Sequence, residues 1–131
     1  MKVAFLLGSK VDVDFTQKMA DMLKEFGVDS QIIVASAHKV PEKVVEVVTK
    51  LNASKEPMVV ITVVGMSNGL GGVVAGSCVH PVINCPPFKD YDDYLVNVHS
   101  SLQKNFWCFL YCCEFPATGC GVHWNIRMPS I

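Results

Sequence analysis

Four short stretches carry the residues able to do chemistry: "GSKVD" (residues 8–12), "SAHK" (36–39), "GMSNGLGG" (65–72) and "NCPPF" (84–88). In "SAHK", Ser36 brings a hydroxyl, His38 an imidazole that changes charge near neutral pH, and Lys39 a cation. Together they suit a proton shuttle with an anion-holding neighbour, although a lone histidine is also commonly just exposed or hydrogen-bonded. In "GSKVD", Gly8 and Ser9 open a turn and Asp12 places a carboxylate ahead of an amphipathic segment. Backbone N–H groups and a helix dipole there suit a phosphate, and Asp12 can accept hydrogen bonds from ribose hydroxyls. The stretch is neither a Walker loop nor a complete G-x-G-x-x-G, and a tight turn with an Asp near a cap uses the same residues.

"GMSNGLGG" has four glycines in eight residues around Ser67 and Asn68. Such a backbone can approach a small or planar ligand closely, and a helix start packed tightly on a neighbour has the same composition. In "NCPPF", Pro86 and Pro87 stiffen the chain, and one peptide bond there can be cis. Cys85 has no neighbour in sequence to activate it and reads as a small buried residue rather than a nucleophile.

The segments between these stretches read as alternating strands and helices. "VAFLL" (Val3 to Leu7) is a continuous apolar run, as a strand buried on both faces requires. Phe15, Met19, Met22, Leu23 and Phe26 then recur at helical spacing, with Asp14 able to cap the start and Gly27 the end. A second strand, Gln31 to Ala35, leads to a helix from Pro41 with Val44, Val45, Val47, Val48 and Leu51 along one side. Met58 to Val64 is a third buried strand, followed by a small-residue helix around Val73 to Gly76. A short fourth strand in "HPVINCPP" precedes "DYDDYLVNVHSSL", with Leu95, Val98 and Leu102 on one helical face. Four such alternations predict a parallel sheet covered by helices. The four chemical stretches then become the loops leaving the carboxyl ends of the strands, which line the crevice in this architecture.

Composition narrows the function classes. The 131 residues fit one domain with a genuine core, half of them are hydrophobic and 18% are charged, so the chain is expected to fold. A formal net charge of −1 provides no basic surface for nucleic acid, so any phosphate must be held locally. No apolar run reaches the roughly 18 residues of a membrane span, and "MKVAFLLGSKVDVDF" reads as a first strand rather than a signal peptide. Cys78 and Cys85 lie in the regular part of the chain, whereas Cys108, Cys112, Cys113 and Cys120 crowd its last quarter. That distribution is not a disulfide framework, and a reducing cytoplasm is the expected location.

Taken in order and at their spacing, "LLGSKVD", "SAHKVPEKV", "GMSNGLGG" and "VINCPP" resemble the aminoimidazole ribonucleotide (AIR) carboxylases of purine biosynthesis, the PurE family, from about Val3 to Gln103. The resemblance implies a three-layer αβα fold with a parallel, flavodoxin-like sheet. Lys39 and "SNGLG" resemble the class II branch, which uses carbon dioxide directly, rather than the branch carrying "SAHR" and "GGAAHLPG". For that branch the implied reaction is reversible carboxylation of AIR at C4, with no metal, biotin or ATP as cofactor. The resemblance gives His38 the C4 proton transfer, Ser9, Asp12, Ser36 and Lys39 the ribonucleotide, and Ser67, with Gly65 and Asn68, the carbon dioxide. It further implies a homo-oligomer, tetramer or octamer, with sites completed by neighbouring subunits. Val11 stands where relatives often have serine, and Met66 where class II members usually have arginine.

After Gln103 the pattern departs. Residues 104–127 read "KNFWCFLYCCEFPATGCGVHWNIR", and only then does "MPS" (Met128 to Ser130) return, where relatives continue directly into it and on to a fifth strand. The expectation is an incomplete carboxylase domain over residues 1–103, truncated at the C-terminus, with an atypical tail over 104–131 from a retained intron or a gene-model error. Loss of the fifth strand and its helix would uncover apolar surface. Cys112, Cys113, Cys120 and His123 are possible metal ligands in type, but their spacing is not that of a closed structural site. Two readings stand beside the carboxylase: a ribonucleotide-binding module without turnover, and a subunit whose only role is co-assembly with intact copies.

Overall fold

The structure is a computed structural model that describes residues 1–65 and 69–102. The 104–131 tail, with its four cysteines, lies outside those residues, so the expectations placed on it do not meet the structure. The elements run β1 (Lys2–Leu7), a 3-10 turn (Lys10–Asp12), α1 (Val13–Glu25), β2 (Asp29–Val34), α2 (Pro41–Asn52), β3 (Met58–Val63), α3 (Gly69–Ser77), β4 (Val82–Asn84) and α4 (Tyr91–Leu102). The strands form one parallel sheet in the order β2-β1-β3-β4. This is the expected three-layer αβα architecture, with strand and helix alternating four times.

Alternation along β1 builds two cores. Val3, Phe5 and Leu7 pack with Ala20 and Val63 on the α1 side, joined by partly buried Phe15, Met19 and Leu23. Ala4 and Leu6 pack with Val44, Val48, Leu51, Val60, Leu70 and Val74 on the side of α2 and α3. Both faces of β1 are therefore apolar, which is why its sequence is a run rather than an alternation.

Local chemistry ends the helices where the chain must turn. Gly27 adopts φ +71°, Val28 N–H donates to the Leu23 carbonyl at 3.0 Å and Gly27 N–H to that of Lys24 at 3.0 Å, a Schellman ending for α1. Pro41 opens α2, where its missing N–H costs nothing.

Several expectations are corrected. Asp12, not Asp14, occupies the N-cap position of α1, and Asp14 falls in the first turn because the helix begins at Val13. β2 begins two residues early at Asp29, and α3 begins at Gly69, since Leu70, Gly71 and Val74 of that helix are buried. Val45 and Leu95 are exposed at 59% and 46%, so the buried faces of α2 and α4 are narrower than their apolar residues imply. Among the described side chains of α4, Val98 and Asn97 are buried, and Leu102 falls outside them. No peptide bond among the described residues is cis. Cys85 is buried, as expected of a small core residue, and Cys78 is buried as well. Among the described residues no helix is long and apolar enough to cross a membrane.

Leu6 is fully buried at the centre of the sheet. Leu6→Ala is expected to lower the unfolding free energy by about 2–5 kcal/mol, measurable by urea titration, with the denaturant slope unchanged.

Candidate active site

Register sets the loops that carry the candidate residues at one end of the sheet. Leu7, the last residue of β1, stands opposite Val34 of β2 and Val63 of β3, so three chains leave the sheet at the same height. The chain moves to one side of β1 for β2 and to the other for β3, making the carboxyl ends of β1 and β3 the switch point where such sheets bind ligands. There the two loops nearly touch. A Cβ added to Gly8 would lie 2.8 Å from Val64 Cγ2, so only glycine permits the approach.

The first loop is organised by Ser9. It is extended at φ −146°, its hydroxyl oxygen accepts from Val11 N–H at 3.4 Å, and its carbonyl accepts from Asp12 N–H at 3.4 Å. Asp12 occupies the cap of α1, yet its side chain makes no capping bond. The Thr16 hydroxyl instead donates to the Asp12 carbonyl oxygen at 2.8 Å. The carboxylate is half-buried without serving the helix, and this burial pushes its pKa up from the ordinary value. A partly desolvated carboxylate uncommitted to its helix is suited to accept hydrogen bonds from a ligand.

The second loop is a turn that presents its tip. Val40 N–H donates to the Ser36 carbonyl at 3.0 Å and Lys39 N–H to the Ser36 hydroxyl at 3.4 Å, which closes the backbone around Ala37 and His38. His38 and Lys39 are both exposed. The imidazole nevertheless has a partner in space that its sequence neighbourhood does not reveal. A Cβ built on Gly69, the first residue of α3, would stand 2.8 Å from His38 Nε2 and 3.0 Å from Cε1. The imidazole therefore lies directly against the end of the glycine-rich loop.

Ser67 and Asn68 fall outside the described residues, while Gly65 is described and abuts Asn97 and Pro87. In the fourth loop Cys85 N–H donates to the Thr62 carbonyl at 2.8 Å, and Phe88 packs edge-on against Phe15 at 5.9 Å and Tyr94 at 5.5 Å. Thr62 and Asn84, both buried, are hydrogen-bonded side chain to side chain beneath the third and fourth loops. Among the described residues no three His, Cys, Asp or Glu side chains converge to hold a metal ion. A groove of about 470 Å³ opens elsewhere, lined by Lys2, Asp29, Lys50 and Glu56 among others, and includes none of the candidate residues.

Two contacts are not visible in the sequence, His38 against Gly69 and Asn97 against Gly65. Both join residues far apart in the chain, and only the glycines, placed where a backbone must come close, signalled them.

Known proteins resemble this chain over most of its length. A family model described as AIR carboxylase matches residues 2–105. A phosphoribosylaminoimidazole carboxylase from Archaeoglobus fulgidus is 44% identical over 90 residues, covering 69% of this chain and 49% of the relative. A bifunctional phosphoribosylaminoimidazole carboxylase/phosphoribosylaminoimidazole succinocarboxamide synthetase from Drosophila melanogaster is 41% identical over 101 residues, covering 77% of this chain and 23% of the relative. The crystal structure of Treponema denticola PurE superposes with a TM-score of 0.76 at 34% identity, covering 85% of this chain and 70% of that one. The chain thus spans about half the length of the archaeal relative and about a quarter of the fly protein.

Two outcomes test this geometry. Gly69→Ala is expected to shift the ring resonances of His38 while leaving those of His80 and His99 in place; unchanged His38 signals would contradict the contact. Asp12→Asn is expected to raise the thermal midpoint at pH 7. A raised carboxyl pKa means that the folded state disfavours the charged form, so the neutral amide gains above the unfolded value of ~3.9. The gain should vanish as the pH falls below that value, where the carboxyl is protonated in both states.

Proposed function

This chain belongs to the AIR carboxylase family, and from that premise we propose that it carries out the class II reaction, reversible carboxylation of AIR by carbon dioxide. The enamine-like C4 of AIR attacks carbon dioxide, forming the new C–C bond. The C4 proton must then leave to restore aromaticity, and His38 takes it, returning it when the reaction runs backward. The observation that carries the assignment is the His38 imidazole held against Gly69 at the end of the glycine-rich loop. An acceptor so placed is beside the loop proposed to hold the one-carbon group.

The remaining roles follow from chemistry and position. Ser9, Asp12, Ser36 and Lys39 bind the ribonucleotide, with Asp12 accepting from ribose hydroxyls and Lys39 offering charge to anionic groups. Gly65, Ser67 and Asn68 hold carbon dioxide where the backbone can approach it closely. The step uses no metal, biotin or ATP. Lys39 and the "SNGLG" run support the class II reading over the carboxyl-transfer branch.

The exposure of His38 and Lys39 in a single chain supports the further reading that a homo-oligomer encloses the site. A cytoplasmic location is consistent with the reduced, buried Cys78 and Cys85.

The test is decarboxylation of carboxyaminoimidazole ribonucleotide by the purified chain. His38→Asn is expected to lower kcat by about 10²–10⁴-fold, the usual contribution of a general acid or base. KM should change little, because the ribonucleotide is held by the other loop residues. Turnover that survives the substitution would remove His38 from the chemistry. Tight ribonucleotide binding with no turnover in either protein would favour a non-catalytic binding module.

A further inference from the structure

One side chain joins the loops after β3 and β4. Asn97, in the second turn of α4, is only 9% exposed. Its Nδ2 donates to the Pro87 carbonyl at 2.8 Å and to Asp93 Oδ1 at 3.1 Å. Both partners are acceptors, so the amide group must point its NH₂ toward them and its oxygen the other way. Gly65 lies on the oxygen's side. A Cβ built on Gly65 would stand 3.1 Å from Asn97 Oδ1 and 3.7 Å from Pro87 Cγ. The glycine-rich loop therefore begins against a wall formed by Asn97 and Pro87.

That wall is itself anchored. Asp93 N–H donates to Asp90 Oδ1 at 2.9 Å, and Asp93 Oδ2 accepts from Lys89 N–H at 3.0 Å. The chain of bonds thus runs from the head of α4 through Asp93 to Asn97 and on to Pro87. On the other side of Pro87, Phe88 is wedged between Phe15 of α1 and Tyr94 of α4. Both ends of the fourth loop are held, and Gly65, where the third loop starts, rests on the result.

We propose that Asn97 is a positioning residue of the site: by holding the Pro87 carbonyl and abutting Gly65, it sets where the glycine-rich loop starts and so where the one-carbon group sits relative to His38. The effect on turnover rests on the carboxylase reading above; the effect on the loops does not. Asn97 does not lie in any of the four loop motifs and needs no contact with the ribonucleotide. Its influence should therefore fall on kcat rather than on KM.

The experiment compares the full chain with Asn97→Asp, which keeps the shape but replaces both donors by an acceptor facing the Pro87 carbonyl and the Asp93 carboxylate. Gly65→Ala crowds the same contact from the loop side with α4 intact, and if Asn97→Asp fails to fold it serves through its exchange pattern alone, because Gly65 is itself proposed to hold carbon dioxide. Decarboxylation kinetics and amide hydrogen exchange are measured on each. The proposal expects kcat to fall by about tenfold or more, equivalent to ~1.4 kcal/mol in the barrier, with KM for the ribonucleotide within about twofold. It also expects faster exchange at Gly65, Cys85 and Phe88, with Val11, Asp12 and Lys39 unchanged. Wild-type kcat together with wild-type exchange would overturn it, as would exchange raised evenly across the sheet. If the unsubstituted chain shows no turnover, the carboxylase reading fails, and the exchange pattern alone decides whether Asn97 positions the loops.

Discussion

The alignment of β1 with both of its neighbours is the constraint on which the site depends. Because Leu7 lies opposite Val34 and Val63, the loops carrying Ser9, His38 and Gly65 leave the sheet side by side at one height. Register in a sheet buried on both faces is strongly specified, since a one-residue slip would turn each inward side chain to the opposite layer. In β1 that slip would exchange Phe5 and Leu7 with Ala4 and Leu6, and the two cores need different volumes. Packing against α1 on one face and α2 and α3 on the other therefore sets the relative height of groups that do not pack in the core at all.

Glycine completes what register begins. Gly8 lets the first loop meet Val64, Gly69 leaves room for the His38 imidazole, and Gly65 receives Asn97. At each of these positions a side chain would displace a neighbour rather than add a contact. The polar groups follow the same division of labour. Ser9 and Ser36 spend hydroxyl lone pairs on their own loop amides and shape the backbone, whereas Asp12 is left half-buried and uncommitted to its helix. Its burial raises the free energy of its charged form, a cost in stability that is reasonable where a ligand's hydroxyls supply the missing bonds.

Much of this was legible in the sequence because it depends on period. The apolar run of β1, the spacing of Phe15, Met19 and Leu23 in α1 and Pro41 at the start of α2 each follow from local rules, although Met22 and Phe26 of the same spacing are exposed, and four alternations imply the parallel sheet and the edge that carries the loops. The boundaries of α3 were not legible, since a segment of glycine and small residues has no amphipathic stripe and is helical here because Leu70 and Val74 are packed. Val45 and Leu95 misled for the opposite reason: they are apolar residues beside, not within, the buried faces. The partner of His38 was invisible because Gly69 is 31 positions away and has no side chain to suggest a contact. Asn97 looked like one polar residue of an ordinary helix, and its value appears only when the fourth loop turns back onto α4.

The proposed reaction requires that the aligned loops let His38 exchange a proton at a carbon that gains or loses carbon dioxide without an activating nucleotide. Its most direct test is isotope exchange: the purified chain is incubated with carboxyaminoimidazole ribonucleotide and ¹³C-labelled carbon dioxide, with no ATP, and the carboxylate is followed by NMR. Label is expected to enter the carboxylate while the ribonucleotide pool reaches equilibrium with AIR. Ribonucleotide that binds to a folded chain yet takes up no label would contradict it.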